Sequence, residues 1–369
     1  MRFLFFSVSI GAGHDLAALG LMAEIKNRFP GAETMLVNTF DYINPTLNKV
    51  IVGSYMESLK FSPKIWGKLY AQAEEGDQFI DLRQILHGLW SSKLEKLVDS
   101  FAPDAVICTH AFPAGMLSML KGKGLLDVPL LAILTDYTVH SFWLHDHIDT
   151  YIIPTEGLKY LFIRHGIKAE KIKAFGIPVR PEFSQLPSKE EARTSMQLEN
   201  KTTFLVMGGG LGLGDVKNII VELGNSDLDI NIIAVAGKNH KLQTALDLLQ
   251  TKANLKVFGF TEEIPRLMAA SDVIVTKPGG LTTAEVLATG IPMVIVSPLP
   301  GQEERNTEFL LNCGVAVKVR KLDLLIPTVK QLLENPVKIK QVKEMCRVLG
   351  RPKAAADTVD YLLNLVESK

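Results

Sequence analysis

The sequence predicts an α/β protein made of two doubly wound, Rossmann-like domains facing each other across a cleft. Three observations carry that expectation. Short apolar, β-branched runs alternate with helix-length segments from Phe3 to Ile153 and again from Thr203 to Val317, and such alternation builds parallel sheets covered by helices on both faces. A glycine turn follows the opening strand of each series, Ile10-Gly11-Ala12-Gly13-His14 in the first and Gly208 to Gly214 in the second. The proline-bearing stretch FGIPVRPEF, 175–183, separates the two series, and 369 residues suit two domains at roughly 150 residues each. The expected boundaries are 1–180 for the first domain, 188–350 for the second, and 351–369 for a C-terminal helix free to cross back to the first, with the linker near 176–188.

In the first series the strands are expected at Phe3 to Ser9, Glu33 to Asn38, Ala105 to Cys108, Leu130 to Leu134 and Thr150 to Ile153, with a helix from about Leu16 to Phe29. The segment from Tyr42 to Lys96 interrupts them and shows no clear strand. It mixes aromatics, Trp66 and Trp90 among them, with Lys49, Lys60, Lys64 and Lys68. Ile85, Leu89, Trp90, Leu94 and Leu97 fall on one helical face, a pattern that suits either a bilayer interface or an insertion packed on its own domain. In the second series the strands are Thr203 to Met207, Ile230 to Ala236, Leu255 to Phe258, Val273 to Thr276, Met293 to Val296 and Val315 to Val317; helices follow at Val216 to Leu223 and, at the end, Ala354 to Val366.

Composition excludes several function classes. Hydrophobic residues reach 47%, yet no apolar run attains the roughly 18 residues of a membrane-spanning helix. Lys plus Arg and Asp plus Glu both total 40, so no overall field draws nucleic acid. Cys108, Cys313 and Cys346 lack metal-like spacing and leave one unpaired, which points to a reducing compartment. The start, Met1 to Ser9, reads as a strand without a cleavage site, so a cytosolic chain is expected.

The chemistry concentrates in Ser271 to Asn306. After the strand at Val273 to Thr276, the Gly279-Gly280 turn lets backbone approach a ligand, and a helix opening near Leu281 aims unpaired N–H groups at an anion such as a diphosphate. Glu285 stands one turn into that helix, at ribose distance, and the strand at Met293 to Val296 delivers Gln302, Glu303 and Asn306 to the same edge. A diphosphate-linked sugar fits this stretch. Lys277 beside the turn can add positive charge at the leaving group, although a lysine beside a glycine turn more often faces solvent. The 208–214 loop can cradle phosphate or simply turn tightly; it lacks the Gly-Lys-Ser/Thr of a P-loop, which argues against ATP hydrolysis. In the first domain Leu16 stands where the last glycine of a dinucleotide fingerprint belongs. His14 can act as a general base or cap its helix, and Asp136 can orient His14, bind an acceptor hydroxyl or form a turn. Trp143 reads as packing or as an acceptor wall. His140, His145 and His147 fit no zinc spacing, and no metal site is expected. The D-x-D at Asp227 to Asp229 lies in a surface turn far from the glycine turns.

Taken together, SIGAGH (Ser9 to His14), the Tyr42 to Tyr70 region, LTDYTVHSFW (Leu134 to Trp143), GIPVRPEF, MGGGLG, VFGFTEEIPRLMAASDV, TKPGGLTTAE and PGQEERN resemble the processive diacylglycerol glycosyltransferases and plant monogalactosyldiacylglycerol synthases, relatives of the N-acetylglucosaminyltransferase that completes lipid II. The resemblance implies a glycosyltransferase B fold and an inverting transfer, with neither cofactor nor metal, of glucose or galactose from a UDP-sugar to diacylglycerol or a glycolipid acceptor. It makes residues 1–180 the acceptor and membrane-docking domain and 188–350 the donor domain. Carried over, Phe260 and Thr261 meet the uracil; Gly280, Leu281 and Thr282 hold the diphosphate, approached also by Gly209 and Gly210; Glu285 binds the ribose. Gln302 and Glu303 hold the sugar, supported by Asn306, and His14 is the base. The insertion, with Trp66 and Trp90, and Trp143 would meet the acceptor or an anionic membrane surface, on its cytoplasmic face. A UDP-sugar epimerase, a non-catalytic UDP-sugar sensor and a transferase using a polyprenyl-diphosphate acceptor are the alternatives.

Overall fold

The hexapeptide RFLFFS forms strand β1 (Arg2–Ser7) and is buried along nearly its whole length, with helices against both faces of its sheet. In the computed structural model, which describes residues 1–9, 11–46 and 91–367, its side chains alternate in the period of two that a strand dictates. Phe3 and Phe5 enter one apolar cluster and Leu4 and Phe6 the other, on the opposite face. Around it lie β2 (Glu33–Asn38), β3 (Ala105–Cys108), β4 (Leu130–Ile133), β5 (Thr150–Ile152) and β6 (Ile172–Lys173). The sheet order is β2-β1-β3-β4-β5-β6, with every pair parallel and Phe5 in register with Leu36 on one side and Ile107 on the other.

This sheet belongs to the first of two units, comprising Met1–Pro181, Pro300–Gln302 and Lys353–Lys369. Its helices include α1 (Gly13–Arg28), α2 (Thr39–Ile43), α3 (91–101), α4 (Ala111–Gly122) and α5 (Lys159–Arg164). Helix α1 begins three residues before the expected Leu16, which brings His14 into its first turn. Gly20 lets α1 approach the chain at Val179, whose carbonyl oxygen would stand 3.0 Å from any added Cβ. The C-terminal helix Ala354–Glu367 packs Ala355, Val359 and Leu362 into the cluster shared with α1. There Arg28 pairs with Asp360 at 2.5 Å, and the Tyr361 ring meets Phe175 edge-on at 5.8 Å.

Residues 47–90, with Trp66 and Trp90, lie outside the described residues. The end of the interrupting segment that is described, helix α3, buries Leu94, Val98 and Phe101 in the core, while Lys93 Nζ donates to the Ile43 carbonyl at 2.6 Å.

The second unit, Glu182–Leu299 and Glu303–Pro352, repeats the plan. Its strands are β7 (Thr202–Met207), β8 (Ile230–Val235), β9 (Asn254–Phe258), β10 (Val273–Thr276), β11 (Met293–Ile295) and β12 (Ala316–Lys318). They pair in parallel in the order β12-β11-β10-β7-β8-β9. The unit opens with α6 (Lys189–Ser195), whose start is fixed by a capping box. Ser188 Oγ accepts from Glu191 N–H, and the Glu191 carboxylate accepts from Ser188 N–H. Arg193 and Lys189 of α6 then converge on Asp272 at 2.5 and 2.6 Å, and Asp272 also accepts the Thr203 N–H. Helices α7 (Val216–Gly224), α8 (His240–Asp247), α9 (Ile264–Ala270), α10 (Gly280–Thr289) and α11 (Gln302–Asn312) follow.

In each sheet the strand order reverses beside the opening strand, between β1 and β3 in one and between β7 and β10 in the other. Such switch points leave a crevice beyond the carboxyl ends of the strands, where open α/β sheets bind ligands. Among the described residues no helix is long and apolar enough to cross a membrane.

Candidate functional site

At the switch point of the first sheet, the turns after β1, β3 and β4 bring His14, Thr109, His110 and Thr135 together. His14 Nδ1 lies 2.9 Å from the Thr109 carbonyl oxygen and 2.8 Å from Thr135 Oγ1. A carbonyl only accepts, so Nδ1 carries the hydrogen and the neutral ring keeps its lone pair on Nε2. That is the tautomer a general base requires. His14 does not cap its helix; Ala12 occupies that position without a side-chain bond. The ring of His110 meets that of His14 edge-on, with centroids 4.7 Å apart. His110 Nδ1 accepts the Phe112 N–H at 3.1 Å, so its neutral form carries hydrogen on Nε2.

Burial lowers the pKa of His14 below 6.5, opposed by the Thr109 carbonyl and the Asp15 charge. His110 is pushed well below the same value, first by burial and then by His14. Two neutral imidazoles at adjacent helix starts are the result. Asp15 is itself held by the hydroxyls of Ser7 at 2.5 Å and Ser9 at 2.7 Å.

Thr135 and the Thr109 carbonyl hold the His14 ring, and the charge of Asp15 acts on it. Asp136 follows directly on Thr135, so the loop that carries it is tied to the His14 ring through the Thr135 hydroxyl. Trp143 is 6% exposed and sits in the core of the first unit. It packs, and a side chain so placed does not present itself to a membrane or an acceptor. His140 Nδ1 accepts the Phe142 N–H at the start of Trp143's short helix.

At the switch point of the second sheet the glycine loop closes on itself. Leu213 N–H donates to the Gly208 carbonyl and Gly212 N–H to that of Gly209, both at 3.0 Å. Gly209 has φ +70° and open space where a Cβ would stand, so the loop is a tight turn with room beside it for a phosphate. Lys238 N–H donates to the Gly210 carbonyl at 2.9 Å, and its ammonium lies 5.2 Å from the centroid of the Phe260 ring, which is 47% exposed. Thr261 Oγ1 accepts the Glu263 N–H ahead of α9.

Across β10, helix α10 starts at Gly280 after Gly279, with no side-chain cap. The N–H groups of Gly280, Leu281 and Thr282 belong to its first turn, where helices leave donors unpaired within the helix. Leu281 and Glu285 are buried in the same helix. Lys277 is 9% exposed, contrary to the expectation of a solvent-facing side chain. Its Nζ lies 3.0 Å from Glu303 Oε1, while Glu303 Oε2 accepts the Leu299 N–H at 2.7 Å. Asn306, fully buried, donates from Nδ2 to the Pro278 carbonyl at 3.0 Å. Asn306 therefore fixes the turn that aims α10, and Gln302 stands at the start of its helix. Thr109, His110, Thr135 and Asp15 escaped the sequence reading. The rule that singled out Asp136, a polar residue just past a strand end, also marks the two threonines and His110.

Two family models match the chain: "Monogalactosyldiacylglycerol (MGDG) synthase" over residues 14–179 and "Glycosyltransferase family 28 C-terminal domain" over residues 203–358. A processive diacylglycerol beta-glucosyltransferase of Bacillus cereus (strain B4264) is 31% identical over 368 residues, covering 98% of this chain and 93% of that protein. Among solved structures, Acinetobacter baumannii MurG is similar at a TM-score of 0.61 and 15% identity, covering 98% and 99% of the two chains. The UDP-GlcNAc 2-epimerase of Neisseria meningitidis, bound to UDP-GlcNAc, is similar at 0.61 and 16%, covering 99% and 100%. These likenesses show the glycosyltransferase B fold of two Rossmann-like units. The near full-length identity does more: the chain belongs to the family of processive diacylglycerol glycosyltransferases and monogalactosyldiacylglycerol synthases.

Proposed function

We propose that this enzyme, a UDP-sugar-dependent hexosyltransferase by its family, moves glucose from UDP-glucose to diacylglycerol with inversion, giving a β-glucosyldiacylglycerol. The observation that carries the reading is the 98% of the chain matched to a diacylglycerol beta-glucosyltransferase. That match includes both the His14 turn and the Lys277 to Glu285 turn. Repeated transfer to its own product, and action at the cytoplasmic face of a membrane, belong to the same proposal. The basic, aromatic composition between Tyr42 and Tyr70 supports the membrane part, whereas Leu94 and Leu97 of the same segment pack on the core of their own unit.

The roles are those the family resemblance implies, and the geometry of each unit supports them. The acceptor hydroxyl gives its proton to Nε2 of His14 as its oxygen forms a bond to the anomeric carbon. The bond from that carbon to the β-phosphate oxygen breaks, and its electron pair leaves with UDP. Amides of Gly280, Leu281 and Thr282, at the positive end of α10, offset the growing charge. Glu285 takes the ribose, Phe260 and Thr261 the uracil, and Gln302 and Glu303 the sugar hydroxyls. Glu303 can do so while bonded to Lys277 and Leu299, since a carboxylate offers about four acceptor sites. The transfer uses no resident metal, and full activity in excess chelator is the expected outcome.

The test is purified protein with diacylglycerol in liposomes and each UDP-sugar in turn, with products resolved by mass and linkage. β-Glucosyldiacylglycerol is expected from UDP-glucose; no glycolipid from any donor would overturn the proposal. Because a 2-epimerase shares the fold, a control with UDP-sugar alone looks for isomerised donor.

A further inference from the structure

Lys277 is a buried lysine at the donor turn. It follows β10 directly and lies in the turn that leads into α10. Its stem runs beside the glycine loop, with Cδ 3.5 Å from where a Cβ on Gly214 would stand. An ammonium has three N–H donors. Among the described residues, Glu303 takes one of them. The side chain is nevertheless 9% exposed, so little water is at hand for the other two. A buried ion pair gains little over apolar packing unless further hydrogen bonds complete it. Glu303 is already completed by Leu299 N–H; Lys277 is the partner left short.

The position says what would complete it. Lys277 stands at the switch point of the second sheet, three residues ahead of the uncapped start of α10 and against the glycine loop. An anion held by the first turn of α10 would come within reach of a cation at that place, and two spare donors match two phosphate oxygens. We propose that Lys277 is a ligand of the donor's diphosphate, binding its oxygens while it keeps Glu303. This rests on the donor-site reading above and adds to it a residue and a coupling. In transfer, the electron pair of the breaking bond to the anomeric carbon stays on the β-phosphate oxygen beside the ammonium, which keeps its own protons. Glu303, bonded to the same ammonium, is then set for the sugar hydroxyl by the group that holds the phosphate.

The coupling predicts a loss specific to phosphate. Binding of UDP and of uridine to the full chain would be measured by calorimetry for the wild type, Lys277→Met and the double variant Lys277→Met/Glu303→Gln. Loss of charge-assisted bonds to the diphosphate should weaken UDP about 10- to 100-fold and leave uridine unchanged. The double variant removes both charges, so no carboxylate is left buried without a partner, and it should show the same UDP-specific loss. It decides the matter if Lys277→Met alone does not fold. UDP bound as tightly as by the wild type in either folded variant overturns the proposal, as does an equal loss of uridine. A wild type that binds neither UDP nor uridine removes the donor reading and this inference with it, an outcome distinct from a loss confined to the variants.

Discussion

Replacing His14 with alanine removes the imidazole whose Nδ1 is held by the Thr109 carbonyl and whose lone pair is left on Nε2. General-base catalysis contributes roughly 10²- to 10⁴-fold, so turnover should fall by that factor, about 3–5 kcal/mol of barrier, while UDP affinity is kept. The pH profile gives a sharper check. The base works only when unprotonated, and burial lowers its pKa below 6.5 against the opposing pull of the Thr109 carbonyl and Asp15. The acid limb of kcat/KM should therefore be centred below 6.5, with a plateau above. Asp15 favours the imidazolium, so Asp15→Asn should move the limb further toward acid and lower the plateau, because a weaker base takes a proton less readily. Initial rates on liposomal acceptor between pH 5 and 8 supply both readings. Near-normal turnover in His14→Ala, or a wild-type limb centred above 6.5, refutes the assignment.

Glu285→Ala should weaken UDP about 10-fold by calorimetry, and an unchanged dissociation constant removes its ribose role. Gly212→Ala forces a methyl onto the Ala236 carbonyl at φ +59°; a lowered melting temperature with lost UDP binding is expected, and retention of both would contradict the tight-turn reading. Asp272→Asn breaks the junction of Lys189, Arg193 and Thr203 N–H and should cost about 1–3 kcal/mol in denaturant titration. Burial pushes the Asp272 carboxyl upward, but Lys189, the Thr203 N–H and Arg193 hold it below its ordinary 3.8. On acidification the unfolded carboxyl takes its proton first, so this stabilisation is full above 3.8 and drains as pH falls through the lowered folded value; the acid limb of stability should flatten in Asp272→Asn.

The fold was legible because parallel strands covered on both faces write themselves as apolar runs, Phe3 to Phe6 and Val273 to Val275 being the clearest. The start of α1 was less so. Gly13 is a poor helix former and reads as part of the turn, although it opens the helix and puts His14 in its first turn. Turn residues after strands could be singled out one at a time, His14 and Gly280 among them. Which of them meet could not, because the partners of His14 lie 95 and 121 residues away and join it only through the β1-β3-β4 order. Lys277 shows the converse. Its neighbours in sequence suggest solvent, but a helix starting 25 residues later brings Glu303 to its ammonium, and Lys277 is buried.

The two switch points use one piece of backbone geometry for opposite ends. A helix that opens at the carboxyl edge of a parallel sheet presents a positive end. In the first unit that end meets imidazoles: His14 lies in the first turn of α1 and His110 at the cap of α4. A positive field there disfavours the imidazolium, in the same direction as burial, and so keeps a lone pair on a base that must not be protonated early. In the second unit α10 presents the same end with glycine, not imidazole, at its start and no side-chain cap, and the buried ammonium of Lys277 adds to its field. A field that suppresses protonation in one place attracts phosphate in the other. The side chain at the turn, imidazole or glycine, decides which of the two the helix start does.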